Sequence, residues 1–334
     1  MSSSTEPRRV TIHDVARIAG VSRQTVSRAL NDKAEIDGST KQRVLDAAKA
    51  LGYRPSRFAR GLVRQDTTTI GLVIPDLMNP FFTEVASGAL EAARSRGAHV
   101  VVYDTADDPE TELATLRVIG SQVDAVVGYF SLPEAELDRY LPGIPVVLVG
   151  RDHRTPRFAS IRIDGEDGVR DAIAHLVRNG HRRIGMLDHN NRPEPSIRQT
   201  WFRRAAGECG IAVHPGWIIG SEQSVDGGGA ALSDLLAAHP DVTAVFTFND
   251  VIAIGALREA RRFGLRVPAD LAVIGFDGLR LGTLVEPALS SVAIDTRALG
   301  ALAIEQVGAL VTGAAAPEPG EIVVRAVLHL RESA

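Results

Sequence analysis

The chain has 334 residues, with 37 Lys/Arg against 41 Asp/Glu and a formal net charge of −4. At 45% hydrophobic and 23% charged residues it reads as globular rather than disordered, and its length implies two or three domains. The lone cysteine, Cys209, excludes an intramolecular disulfide and any cysteine-cluster metal site.

The charge is unevenly spread. Residues 1–66 hold 13 Lys/Arg against 7 Asp/Glu, a net of +6, whereas the remainder holds 24 against 34, a net of −10. A basic head on an acidic body suits a nucleic-acid partner for the head and a different task for the body. Residues 1–9, MSSSTEPRR, are polar, without the apolar core of a signal peptide, and are expected to be disordered. No apolar run approaches the ~20 residues of a membrane span. A cytoplasmic chain with no membrane contact is expected.

Residues 11–31, TIHDVARIAGVSRQTVSRALN, read as two short helices about a tight turn. Thr11 suits the first N-cap, with Asp14 in the first turn. Ile12, Val15 and Ile18 recur at helical spacing, and Gly20 suits the left-handed stop. Ser22 caps a second helix from Arg23 to about Leu30, with Val26, Ala29 and Leu30 inward and Arg23, Gln24, Ser27 and Arg28 outward. This is a helix-turn-helix; an amphipathic hairpin with a solvated basic face is the alternative. A third helix is expected from Thr40 to Leu51, capped by Ser39 with Gln42 and ended by Gly52, its Val44, Leu45, Ala48 and Leu51 closing a three-helix core. Residues 56–63, SRFARGLV, have helical spacing weakened by Gly61 and read as a short helix or a basic linker.

From Thr69, Val/Ile-rich runs (70–74, 99–103, 125–128, 145–149, 183–187, 244–248, 271–276) alternate with amphipathic stretches (82–96, 110–121, 166–179, 197–209, 227–238, 250–263, 297–312). The alternation predicts parallel sheets covered by helices on both faces. No Gly-x-Gly-x-x-Gly follows the first strand and no Walker sequence occurs, so no nucleotide cofactor is expected. Gly227–Gly229 read as a turn entering a helix. Nucleophile-elbow and H-E-x-x-H sequences are lacking and the histidine spacing does not pair, so neither catalysis nor a metal site is expected.

Thr11, Ile12, Asp14, Val15, Ala16, Ala19, Gly20, Val21, Ser22, Thr25, Val26, Ser27, Arg28, Leu30 and Asn31 all fit T-I-x-D-V-A-x-x-A-G-V-S-x-x-T-V-S-R-x-L-N, the signature of the lactose-repressor (LacI/GalR) family of transcriptional regulators, which the chain strongly resembles. The resemblance continues through Ile74-Pro75-Asp76, Asn79-Pro80-Phe81-Phe82, Asp124–Val127, Gly180–Ile184, Phe248-Asn249-Asp250 and Val273–Asp277. It implies a helix-turn-helix head, a hinge helix, and a periplasmic-binding-protein-like α/β body of two parallel-sheet subdomains with a ligand cleft between them. The expected domains are 10–54 (head), 55–68 (hinge and linker) and 69–334 (body). Within the body, the first subdomain takes 69–163 plus 291–321 and the second 164–290 plus 322–334, with crossings near Asp164, Ser290 and Ile322.

On the recognition helix, Gln24 and Arg28, with Arg23 beside them, suit base edges, Gln pairing bidentately with adenine and Arg with guanine. Thr11, Ser22, Thr25 and Asn31 suit phosphates. The resemblance makes 56–63 a hinge helix that pairs on DNA, with Leu62 as its minor-groove wedge. Effector candidates lie at strand ends. Phe81 and Phe82 stack on a ring or are plain core. Arg198 matches the family's effector-binding arginine, or pairs a surface acid. Asn249 and Asp277 match the opposing polar contacts, although Asp277 also suits a turn cap. Asp152 and Asp164 are weaker candidates. The family usually has glycine three residues after this arginine; here Trp201 stands there, and reshapes the pocket or packs outside it.

The expected protein is a repressor that binds a near-palindromic double-stranded DNA operator as a homodimer and answers to a small sugar-like effector. Because the sequence stops at Arg331–Ala334 without a leucine-heptad helix, a dimer is expected rather than a tetramer. The rival readings are a solute-binding protein of transport or chemoreception and a DNA-binding protein with a ligandless body.

Overall fold

The computed structural model describes residues 12–30, 36–51, 68–150, 158–189, 195–313 and 321–334. Thr11, Asn31, Leu62, Asp152 and the expected hinge helix 56–63 lie outside the described residues. The chain divides into two units, residues 1–66 and 67–334.

The first unit contains α1 (Ile12–Ala19), α2 (Arg23–Leu30) and α3 (Gly38–Ala50). Gly20 ends α1 at φ +66°, and the Val21 amide donates back to Ala16 O at 3.0 Å, a reversal for which the absence of a Cβ is suited. Ser22 caps α2 by accepting from the Thr25 amide at 3.1 Å. Val15, Ala19, Val26, Ala29, Val44, Ala47 and Ala48 form the core. Two expectations fail here. Ile18 and Leu45 are exposed, because α1 is only two turns long and its inward face is satisfied by Val15 and Ala19, while Ala47 takes the place foreseen for Leu45. The cap of α3 is Asp37 and not Ser39: the Asp37 carboxylate accepts from the Thr40 amide at 3.2 Å, and Ser39 donates its hydroxyl to it.

The second unit contains two six-stranded sheets. Its elements in order are β1 (Thr69–Ile74), α4 (Pro80–Ser95), β2 (His99–Asp104), α5 (Pro109–Gln122), β3 (Ala125–Gly128), α6 (Glu134–Tyr140), β4 (Val146–Val149), β5 (Ala159–Asp164), α7 (Glu166–Arg178), β6 (Ile184–His189), α8 (Ile197–Glu208), β7 (Ile218–Ser221), α9 (Val225–Ala238), β8 (Ala244–Thr247), α10 (Asp250–Arg262), β9 (Ala272–Asp277), β10 (Ser290–Ala293), α11 (Thr296–Thr312), β11 (Glu321–Arg325) and β12 (Val327–His329). The first sheet runs β11-β5-β4-β3-β1-β2 and is parallel throughout; the second runs β12-β10-β9-β8-β6-β7, parallel except for β12 against β10. The central strands are buried on both faces, as expected where helices cover both sides.

Two of the three crossings between lobes are displaced from expectation. β10 still pairs in the second sheet through Ala293, so the second crossing follows it rather than Ser290. β11 pairs with β5 as far as Arg325, so the third crossing is at Ala326 and not Ile322; residues 322–325 stay in the first lobe. The Ala326 amide donates to Asp164 O at 2.8 Å, which ties the third crossing to the first.

Gly228 is no turn residue: it lies in α9, where a Cβ would fall 2.2 Å from Ile252 O of α10. In the same way α11 packs on α4 through Gly300, whose Cβ would fall 2.0 Å from Val85 O. These glycines set helix spacing, leaving the strand ends free to form a cleft.

Candidate functional site

A cavity of about 450 Å³ opens between the two lobes at the carboxyl ends of the parallel strands. Three helices begin at its wall, each with a side-chain cap. Asn79 accepts from the Phe81 amide at 3.1 Å ahead of Pro80, Ser196 accepts from the Gln199 amide at 2.9 Å, and Asn249 accepts from the Ile252 amide at 2.9 Å.

The first lobe contributes an aromatic cluster. Phe82 meets Phe81 and Tyr129 edge to face, each with ring centroids 5.1 Å apart. Phe81 is both core and cleft wall, so its two readings are compatible. The Tyr129 hydroxyl is buried and has no hydrogen-bond partner, and burial pushes its pKa upward.

The second lobe contributes a buried ion pair. Arg198 Nη2 donates to Asp277 Oδ1 at 3.1 Å, with the side chains 15% and 4% exposed, and Arg198 Nη1 donates to Phe248 O. The guanidinium lies between two rings, its Cζ 3.8 Å from the Phe276 centroid and 4.3 Å from that of Phe248. Arg198 therefore pairs a cleft acid, not a surface one, and Asp277 pairs Arg198 rather than capping a turn. Asp277 has φ +112°, strain of the kind that concentrates at ligand sites. Burial pushes its carboxyl up to about 6, against the pull of Arg198. Behind it, burial pushes fully buried Asp250 up to about 8, with the Asp277 charge adding to the shift. Asp250 accepts from Ser291 Oγ at 2.6 Å and the Leu279 amide at 2.7 Å. Burial lowers the pKa of Arg198, and Asp277 and then Asp250 oppose that.

Asn249 is more committed than its candidacy implied. Besides capping α10 it donates Nδ2 to Gln223 Oε1 at 3.2 Å. Asp164 is a correction: it does not line the cavity, because its carboxylate accepts from the Glu166 amide at 3.2 Å and pairs with Arg162 at 3.4 Å, at the first crossing. Trp201 also stays out of the cavity, stacked on Phe276 at 6.3 Å and 22°, against Gly165. It buttresses the ring on which Arg198 lies.

Tyr129, His189, Gln223 and Phe248 line the cleft and were not singled out in sequence. Tyr129, His189 and Phe248 end or directly follow β3, β6 and β8, so the strand-end rule had the means to find them; nothing local marks Gln223. On the head, Arg23, Gln24, Ser27 and Arg28 are exposed together on α2. Ser22 and Thr25 are already joined, Oγ to Oγ1 at 2.9 Å, as part of the cap. Among the described residues no cluster with metal-ligand chemistry occurs, and no helix is long and apolar enough to cross a membrane.

A helix-turn-helix head carrying a two-lobed body with such a cleft is the build of a bacterial transcriptional regulator. The family model described as bacterial regulatory proteins, lacI family, matches residues 11–56, and that of the periplasmic binding protein-like domain matches residues 173–334. Catabolite control protein A of Priestia megaterium is 35% identical over 302 residues, 88% of this chain and 90% of that one. The chain is similar to the transcriptional regulator CelR in its cellobiose complex (TM-score 0.72, 29% identity, 98% and 100% of the two chains). It is similar also to the lac repressor dimer bound to operator and the anti-inducer ONPF (TM-score 0.73, 26% identity, 98% and 99%). The chain belongs to the lacI family: it is a DNA-binding transcriptional regulator and not an enzyme.

Proposed function

We propose that the protein is a cytoplasmic repressor that binds a near-palindromic operator as a homodimer and is controlled by a small sugar-like effector in the cleft. The observation that carries the effector half is the Arg198–Asp277 pair, preorganised between two rings and facing an aromatic cluster across the cavity. A fixed planar fork beside a carboxylate suits paired hydroxyls, and aromatic edges and faces suit a sugar's C–H surface. The similar CelR was solved with cellobiose.

On DNA, Arg23, Gln24 and Arg28 read base edges, while Ser22, Thr25, Thr11 and Asn31 hold phosphates. Residues 10–54 act as the head and 55–68 as the hinge, with Leu62 wedging into the minor groove. The body's exposed edge strand β2 supports the dimer: Val101 and Val102 are exposed there, and Met78 is 87% exposed. A bare apolar edge of this kind is normally covered, here by a second copy.

The test is selection of bound duplexes from a random library, followed by titration of the selected site with sugars, nucleosides and related metabolites. A near-palindromic winner whose affinity shifts with a sugar is the expected result. A palindrome indifferent to every compound removes the sensor role, and no enriched site removes the DNA assignment.

A further inference from the structure

Beside the cleft lies a second cavity of about 190 Å³, walled by Pro75, Asp107, Tyr129 and Gly150, which it shares with the cleft, and by Thr105 and Ser131. At ~30 Å³ per water this is room for roughly six waters, too large for a packing defect and enough for a small polar group. Its walls are built, not incidental. Glu112, 3% exposed, lies on α5 and holds the loop after β3: its carboxylate accepts from the Ser131 and Leu132 amides (2.9 and 3.1 Å) and from Ser131 Oγ (2.6 Å).

On the other side, Ala106 and Asp107 both take left-handed φ, +53° and +50°. Two consecutive non-glycine residues in that region are costly. The turn is fixed by the Ala106 amide donating to Asp104 Oδ1 at 2.9 Å, and it brings Asp107 to the wall of both cavities. Tyr129 stands between them with the partnerless hydroxyl described above, close enough to Asp277 and Arg198 to feel both charges. A buried hydroxyl without a partner is an unmet demand for a hydrogen bond.

We propose that this side chamber is a second ligand subsite, so that the effector is an uncharged glycoside of two linked sugar units, one on Arg198 and Asp277 and the other past Tyr129 in the chamber. The proposal rests on the reading of the cleft as a sugar site. Among the described residues the chamber's ionisable groups are the carboxylates of Asp107 and Glu112 and the Tyr129 hydroxyl, which burial keeps neutral, so the charge there is negative and disfavours a phosphate or carboxylate. Tyr129 gives and takes a hydrogen bond at the glycosidic link.

The test is calorimetric titration of the full chain with matched probes: glucose and galactose, then cellobiose, maltose and lactose, then glucose 6-phosphate and glucuronate. One disaccharide is expected to bind about tenfold or more tighter than its constituent units, the worth of one or two hydrogen bonds. Ser131→Leu, which fills the chamber, should erase that gain and leave monosaccharide binding within about twofold. Tyr129→Phe covers the case in which Ser131→Leu does not fold: it should raise the unfolding temperature by deleting an orphan hydroxyl, yet weaken the disaccharide. Monosaccharides binding as tightly as disaccharides, or a disaccharide indifferent to both variants, overturns the subsite and leaves the sugar-sensor reading intact. Preference for the charged probes overturns the uncharged class. Binding by none of the probes overturns the sugar reading together with the chamber.

Discussion

Replacing Arg198 by methionine isolates the ion pair from its packing. Methionine keeps an unbranched apolar body between Phe248 and Phe276, so little cavity energy is lost. What disappears is the cation that holds down the pKa of Asp277, a carboxylate only 4% exposed and near a second buried acid, Asp250. Breaking a buried pair from one side costs about 3–5 kcal/mol because a charge is left uncompensated. Protonation offers Asp277 an escape, so the cost depends on pH. In the native chain its folded pKa is already raised to about 6, and its stabilising contribution is therefore complete below the unfolded value and lost as pH rises through the folded one. Removing Arg198 raises that folded pKa further, enlarging the loss above it. The expected destabilisation is about 3–5 kcal/mol at pH 8 and about 1 kcal/mol at pH 5, read from urea unfolding of the body at both pH values. Adding Asp277→Asn to the variant should recover most of the pH 8 loss. A destabilisation equal at pH 5 and pH 8, or no recovery in the double variant, would refute the reasoning.

Asp250→Asn should flatten the pH dependence of body stability. Native Asp250 has a folded pKa of about 8, so stability falls as pH rises toward and through that value, by on the order of a few kcal/mol; the variant should be the more stable protein at pH 8.5 and no better at pH 5 by thermal unfolding. Gly300→Ala forces a Cβ to within 2.0 Å of Val85 O and should cost about 1–3 kcal/mol in the same assay, whereas Gly207→Ala, with open space at its Cβ, should be neutral or slightly stabilising. Leu62→Ala should weaken selected-operator binding in a mobility-shift titration while calorimetric effector binding stays unchanged; an unaltered operator affinity removes the wedge. Arg28→Ala should cost about 1–3 kcal/mol of discrimination at one base position and relax the preference there, seen by repeating the selection.

Roles set by neighbouring residues are legible in the sequence, whereas roles that depend on distant chain are not. Ser22 is read as a cap from the sequence and is one, because capping is settled within three residues, although at α3 the same reasoning points to Ser39 where Asp37 caps. The double-faced strands, such as β3 and β4, announced themselves as unbroken Val runs. By contrast β5, β7 and β10 are not marked by such a run. Ser290-Ser291-Val292-Ala293 carries no alternation or apolar run, and its serines are buried because Ser291 serves Asp250 and Ser290 Oγ accepts from the Arg331 amide at the chain's end. Only the assembled lobe supplies those partners. The same cause displaced the third crossing: β11 belongs to the first lobe by pairing with β5, about 160 residues earlier, and no local pattern encodes that partner.

That failure bears on function. Asp164, one of the weaker effector candidates, sits where the first and third crossings meet, its carbonyl receiving the Ala326 amide and its carboxylate the Glu166 amide. The adjoining Gly165 leaves no room for a Cβ, which would fall 2.7 Å from Phe276 and 2.9 Å from Trp201. Phe276 thus packs against Trp201, the first crossing at Gly165 and the Arg198 guanidinium. Under the proposed effector role, a ligand that draws Arg198 toward the cleft would change the packing on this ring, which bears directly on the first crossing at Gly165. Trp201, which stands where the family pattern has glycine, therefore packs between Phe276 and the first crossing and does not line the cavity.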